Sequence, residues 1–154
     1  MNRSERKKLL ALFLEEVWSQ GRIEACDDFI GETYTVRHDP GDPWDGQTLS
    51  RNGFKQRVHL SREPLPDQRF TLVSMVEDGD SIAIAWTWAA SHTGNVAGFA
   101  ATGARLTMSG LTLYDFDGEN RIRGHWQVVD RLGVFRQLAD TLANPDRPMG
   151  LLDF

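Results

Sequence analysis

"HWQVVDRLG", residues 125–133, is where an apolar strand gives way to a helix, with one carboxylate, Asp130, at the junction. Side chains alternate along a strand, so Ile122, Gly124, Trp126, Val128 and Asp130 share one face and Arg123, His125, Gln127 and Val129 the other. The first set is the more apolar and is expected to face the interior, which carries Asp130 in beside Trp126. His125 is then an outward-facing, hydrogen-bonded sheet residue. Two roles for Asp130 compete. A carboxylate at the edge of an aromatic pocket loses solvation and becomes a stronger base, as removal of a proton next to a carbonyl requires. Alternatively, its oxygen accepts a backbone N–H as the N-cap of the helix that follows. An engaged cap blunts a base.

Working outward, "RLGVFRQLADTLA" (131–143) is the closing helix. Upstream, "RLTMSGLTLYDF" (105–116) pairs with 121–130 across "DGEN". "RFTLVSMVEDGDSIAIAWTWAASHTG" holds two further strands around the Asp-Gly turn in "EDGD". On the second of these, Ile82, Ile84, Trp86 and Trp88 share a face. The first half of the chain has helical periodicity instead. From Ser4 to Gln20, Leu9, Leu10, Phe13, Leu14, Val17 and Trp18 recur at three- and four-residue spacing, and Gly21 ends the run. A second short helix covers 22–29, "TYTVRH" (33–38) is extended, and "HDPGDPWDG" (38–46) is a loop. A third helix spans about 49–61, with Phe54, Val58 and Leu60 inward. Helices first and a meandering antiparallel sheet afterwards make an α+β pattern. Three N-terminal helices are expected to pack into a strongly curved sheet, with a short C-terminal helix and a pocket between the layers. The expected division is one domain over 1–143 and a tail, "NPDRPMGLLDF", over 144–154.

Composition narrows the function. A formal charge of −5 and a pI of about 5.3 provide no basic field for a polyanion, so nucleic acid is not an expected partner. The one basic run, "RSERKK" (3–8), reads as a solvated helix start. Cys26 is the only cysteine, which excludes an intrachain disulfide and a cysteine-rich metal site. "LLALFL" is too short for a signal-peptide core, and no segment approaches the roughly eighteen apolar residues of a membrane span. The expected setting is the cytoplasm, without a membrane partner. His38, Asp39, Asp42 and Asp45 lack the alternate-ligand loop and terminal glutamate of a calcium hand, so no metal is expected. "GNVAGFAATG" precedes a strand and lacks the helix N-terminus that would hold a phosphate. No nucleophile elbow is present, and no cofactor is expected.

The run "SHTGNVAGFAATGARLTMSGLTLYDFDGENRIRGHWQVVDRLGVFRQLA" (91–139) resembles the second half of the SnoaL-like polyketide cyclase, or ester cyclase, family. That family belongs to the nuclear-transport-factor-2-like superfamily. The matching pieces are "HTG", the "TG" before a strand, "DG" with Ile122, Trp126 four residues before Asp130, and "LGVFRQL". "FLEEVWSQGRIEACDDFI" and the extended piece ending in His38 agree. The resemblance implies a cone-shaped α+β barrel. It also implies a cofactor-independent enzyme whose pocket aspartate is the acid/base in an aldol ring closure or isomerisation of a polyketide-like carbonyl or ester. Asp130 occupies that position.

His92, on the Trp86/Trp88 face, is expected at the cavity rim, where it would steady an oxyanion, and His38 is expected at the mouth. Trp18, Phe54, Trp86, Trp88, Phe99 and Trp126 would stack on a hydrophobic or aromatic carbonyl ligand. His59 is expected at the surface. Members of the superfamily pair through the sheet, so a homodimer is expected there, with Arg123, His125 and Gln127 on its interface. The same fold also serves as a non-catalytic small-molecule-binding or assembly module. An epoxide-hydrolase variant requires an Asp–Arg–Asp cluster; Arg131 adjoins Asp130 but is expected to point elsewhere.

Overall fold

A computed structural model describes residues 3–143, with side chains from Glu5 onward; the expected tail, 144–154, lies outside the described residues. The amphipathic N-terminal run forms α1 (Arg3–Phe13) and continues as a π-helical stretch, Leu14–Ser19. The wider turn brings Leu14, Val17, Trp18 and Ser19 all onto the buried side. A 3-10 turn (Ile23–Ala25) leads into α2 (Cys26–Phe29), then β1 (Ile30–His38), the short β2 (Thr48–Ser50) and α3 (Arg51–Arg62). The Ser50 hydroxyl caps α3 by accepting the Gly53 N–H at 3.1 Å. Four long strands follow, β3 (Arg69–Asp78), β4 (Ser81–Ser91), β5 (Arg105–Phe116) and β6 (Ile122–Val129), before α4 (Arg131–Ala143).

The six strands form one curved, unclosed sheet in the order β2-β1-β6-β5-β4-β3. The pairs are antiparallel except β1 with β6, which run parallel because the chain crosses from the helical half to the last strand. The helices fill the concave side at one end. There Phe13, Phe54, Ile82, Ile84, Phe116 and Ile122 are buried together, each contributing about 1.5–3 kcal/mol by leaving water. At the other end the inner faces of β4, β5 and β6 extend beyond α1 and α3. The 92–104 loop and α4 close over them, and a cavity remains. On α3, Phe54 and Val58 point inward as expected; Leu60 is exposed instead, and the third buried position is Arg57.

The decisive local feature lies in β6. Asp115 pairs with Gly124 while Phe116 pairs with Ile122, so β6 carries one extra residue, Arg123, at a bulge. Past a bulge the alternation of side chains reverses. His125, Gln127 and Val129 therefore face the cavity, and Trp126, Val128 and Asp130 face outward. This is the reverse of the facing expected from unbroken alternation. Gly124 makes the bulge fit, because a Cβ there would come within 2.6 Å of the Thr35 carbonyl oxygen on β1.

Candidate active site

The cavity measures about 460 Å³, within the range of sites for drug-sized ligands. Its broad end is apolar. Trp18, Phe70, Trp86, Trp88, Leu106 and Met108 form the walls, and Val134, Phe135 and Leu138 of α4 contribute the cover. Room for the Trp86 ring comes from Gly110 on the facing strand, where a Cβ would lie 2.5 Å from a Trp86 ring carbon. The indole N–H groups of Trp86 and Trp88 are held by the Thr112 hydroxyl (2.8 Å) and the Gln68 carbonyl oxygen (3.0 Å). Both rings are thereby fixed in orientation.

The polar end of the cavity is formed by Tyr34, Asp42, Arg57, His125, Gln127 and Arg131, and behind them, outside the lining, stands Asp39, the first residue after β1, which is 0% exposed. Its Oδ1 accepts from Arg131 Nη2 at 2.6 Å. Its Oδ2 accepts from Gln127 Nε2 (2.6 Å), His125 Nε2 (3.3 Å) and Arg57 Nη2 (3.4 Å). Burial pushes the Asp39 carboxyl up, but the His125 hydrogen bond and the Arg131 charge outweigh it, and the group titrates below the ordinary carboxylate value. Asp39 is therefore an anion, and an anion can only accept. That fixes the His125 proton on Nε2 and leaves Nδ1 to accept from the Tyr34 hydroxyl at 2.6 Å. Burial holds His125 below its usual value against the opposing pull of Asp39, so the ring is neutral at pH 7. Burial also raises the Tyr34 phenol well above its ordinary value. The result is a chain, Asp39 carboxylate to His125 to Tyr34 hydroxyl, ending at the cavity wall.

A second branch fixes the other partner. Trp86 donates to Thr112, Thr112 donates to the Gln127 carbonyl oxygen at 2.9 Å, and the Gln127 amide N–H donates to Asp39. With Thr112 donating to its oxygen and the Asp39 carboxylate accepting from its nitrogen, the Gln127 amide is held in one orientation. The Tyr114 hydroxyl has no side-chain partner among the described residues, although the residue is buried and lines the cavity. Burial raises its phenol too, with the Arg57 charge pulling the other way. It stays protonated and can donate to a ligand oxygen.

The expected site residues divide. Trp18, Trp86 and Trp88 line the cavity. Phe54 is fully buried core, packed on Tyr34 at 4.5 Å between ring centres, and does not reach the cavity. Phe99 packs edge-on against Phe135 at the cover, outside the lining. Trp126 is 44% exposed on the outer face and stacks on His38 at 4.4 Å, because the bulge turned it out and the parallel pairing set His38 beside it. Neither borders the cavity.

His92 is fully buried behind the rim, with Nδ1 2.9 Å from the Thr102 hydroxyl, and does not line the cavity either. Asp130 is exposed, and its Oδ1 accepts the Gly133 N–H at 2.8 Å, so of its two competing roles the geometry supplies the cap. His59 is at the surface as expected. The expected outward positions of His125 and Gln127 are corrected by the same bulge. Arg131 does point away from Asp130, toward Asp39 and the Pro40 carbonyl oxygen (2.9 Å). An Asp–Arg–Asp cluster is nevertheless present, made by other residues: Arg57 Nη2 bridges Asp39 and Asp42, the latter at 3.1 Å. Asp39, Arg57, Tyr34 and Gln127 escaped the sequence reading. Asp39 lay within a loop whose Asp, Pro and Gly content indicated turns, and Arg57 gave no signal beyond its place between Phe54 and Val58.

Among solved structures, one of a candidate polyketide cyclase of Acidithiobacillus ferrooxidans is 48% identical to the chain, with a TM-score of 0.85, covering 91% of this chain and 99% of that one. TsrD of Streptomyces laurentii (22% identity, TM-score 0.74, 90% and 97% covered) shares the fold. So does IdmH, a candidate polyketide cyclase of Streptomyces antibioticus (20% identity, TM-score 0.73, 88% and 99% covered). No curated protein matches the chain. Residues 8–138 match the family described as SnoaL-like polyketide cyclase, and the chain belongs to that family.

Proposed function

We propose that this protein is a cofactor-independent enzyme of the cyclase/isomerase kind, and that His125, backed by Asp39 and acting through the Tyr34 hydroxyl, removes a proton from the carbon next to a carbonyl in an aromatic or polyketide-like ligand. The observation that carries the reading is the Asp39–His125–Tyr34 hydrogen-bonded chain at the polar end of an aromatic cavity. The Tyr34 oxygen accepts the substrate proton as its own proton passes to His125 Nδ1. The imidazolium that forms is stabilised by the Asp39 carboxylate. The enolate carbon then attacks a second carbonyl of the same chain, whose alkoxide takes the proton back from the imidazolium through Tyr34, or it regains that proton itself at another position. Holding both ends of a flexible substrate between fixed tryptophans contributes through proximity.

The test uses 2-tetralone in D2O, with deuterium uptake followed by NMR. Wild-type protein should accelerate exchange above background, and His125→Asn should lower that catalysed rate about 100-fold or more. Tyr34→Phe should do so as well. Unchanged exchange in both variants removes the assignment, and no exchange by any form, with binding retained, leaves a binding module.

The Asp39–Arg57–Asp42 bridge favours a second reading, addition of water to an epoxide. Here the Asp42 carboxylate takes a proton from water as the oxygen attacks carbon and the epoxide C–O bond breaks, and the alkoxide, held beside the Arg57 guanidinium, then receives that proton from Asp42. Hydrolysis of styrene oxide to its diol separates the two readings.

We further propose that two copies pair through the outer face of the sheet. Leu111, Leu113, Trp126 and Val128 are exposed there on adjacent strands, an apolar surface that a lone soluble domain rarely leaves open. A reducing compartment such as the cytoplasm suits the lone Cys26, which is buried and unpaired.

A further inference from the structure

Arg57 has more donors than the protein uses. It lies on α3, is 5% exposed, and stands between two indoles, 5.3 Å from the Trp18 ring centre and 5.9 Å from that of Trp44. Only Nη2 is hydrogen-bonded, and it serves both Asp39 and Asp42 at 3.4 and 3.1 Å. Nε is buried without a partner among the described residues. Nη1 also lacks one, and the residue lines the cavity. Buried guanidinium N–H groups are ordinarily satisfied, and this one sits at the end of a pocket whose other walls are aromatic.

Asp39 and Asp42 balance the formal charge of Arg57 and Arg131 at that end, but they do not occupy every donor of the Arg57 guanidinium. Asp39 is saturated by Gln127, Arg131 and His125, and its contact with Arg57 is the longest of its four. Asp42 meets Arg57 through the same nitrogen and receives the Trp44 backbone N–H at 2.9 Å on its other oxygen. Arg57 and Tyr114 both line the cavity, and among the described residues the Tyr114 hydroxyl is a second donor without a side-chain partner. Two donors in one cavity lined by flat aromatic rings suit a planar acid.

We propose that the cavity takes an aromatic carboxylic acid, anchored by its carboxylate on Arg57 Nη1 with help from the Tyr114 hydroxyl, its rings lying against Trp18, Trp86 and Trp88. This rests on the reading of the cavity as a carbonyl-ligand site and narrows it to a preference for acids over the corresponding neutral esters. Charge-assisted bonds to guanidinium in a dry site are the strong kind, and an ester offers no anion to receive them.

Calorimetric titration of the full chain with 2-naphthoate and with methyl 2-naphthoate tests this without any variant. The acid should bind at least about tenfold more tightly than the ester, a difference of one charge-assisted contact. Equal affinity, or tighter binding of the ester, overturns the proposal. Arg57→Met should weaken the acid about tenfold or more and the ester less than about twofold, whereas Arg57→Lys should restore part of the acid's affinity. Equal loss of both ligands in Arg57→Met overturns it as well, since that indicates a collapsed pocket wall. Because binding is read apart from deuterium exchange, the outcomes separate. Exchange that depends on His125 with no preference for the acid sinks the anchor alone, and an acid preference without exchange sinks the base alone.

Discussion

Asp39 and Asp130 each stand just past the end of a strand, on the parallel neighbours β1 and β6, and the fold treats them oppositely. Asp39 is sealed from water and accepts four hydrogen bonds, two from arginines. Asp130 is exposed and accepts one backbone N–H from its own helix. The difference lies in the elements around them. Past β1 the loop folds back under α3 and α4, which deliver Arg57 and Arg131; past β6 the chain turns at once into α4, and the nearest donors are that helix's own first turn. A carboxylate acquires chemistry here by being enclosed with cations and a neutral imidazole. Proximity to an aromatic strand alone does not confer it.

That contrast breaks most directly on stability. Asp39→Ala strands two arginines and should cost about 3–5 kcal/mol in chemical denaturation, whereas Asp130→Ala should cost about 1 kcal/mol, the loss of a cap. Equal costs would mean that Asp39 is not the anchor described. Gly124→Ala comes next, at about 1–3 kcal/mol, because its Cβ meets the Thr35 carbonyl oxygen and the bulge must shift. A neutral result would show that the bulge, and so the inward turn of His125, does not depend on that close approach. On the outer face, Trp126→Asp should shift the protein from dimer to monomer in light scattering. A wild-type monomer would remove the pairing proposal.

The smallest effect is in pH dependence. His125 and Asp39 both titrate below their ordinary values of 6.5 and 3.8, so the unfolded chain binds more protons than the folded one. Their stabilisation is complete above those values. It declines as pH falls below 6.5, and again below 3.8. The raised phenols of Tyr34 and Tyr114 act in the opposite direction, losing stabilisation as pH rises above their ordinary value of 10. The buried Cys26 thiol, pushed up to about 11, does the same above its ordinary value of 9. Stability should therefore be highest between about pH 6.5 and 9, and His125→Asn should flatten the acid side of the profile.

Much of this architecture is legible in the chain. The α1 stripe, the Asp-Gly hairpin turn between β3 and β4 and the alternation of Ile82, Ile84, Trp86 and Trp88 are local periodicities, and they carry the fold. Trp86 and Trp88 reach the cavity because β4 keeps its alternation throughout. The site beyond them depends on events without a local signature. One inserted residue at Arg123 reverses every side chain after it, which exchanges His125 and Gln127 for Trp126 and Asp130. The identity of the buried acid depends on contacts across 18 to 92 positions, Asp39 with Arg57 and with Arg131. Alternation cannot register such contacts, and a loop rich in aspartate gives no indication which of its carboxylates will be enclosed.

The most direct measurement compares Asp39→Asn and Asp130→Asn in the same 2-tetralone exchange assay, with folding checked by circular dichroism. Asn retains a cap oxygen at 130 but removes the charge that holds the His125 tautomer at 39. The account predicts exchange within about twofold of wild type for Asp130→Asn and a loss of about 100-fold or more for Asp39→Asn. Loss of exchange in Asp130→Asn, with Asp39→Asn folded and active, would contradict it.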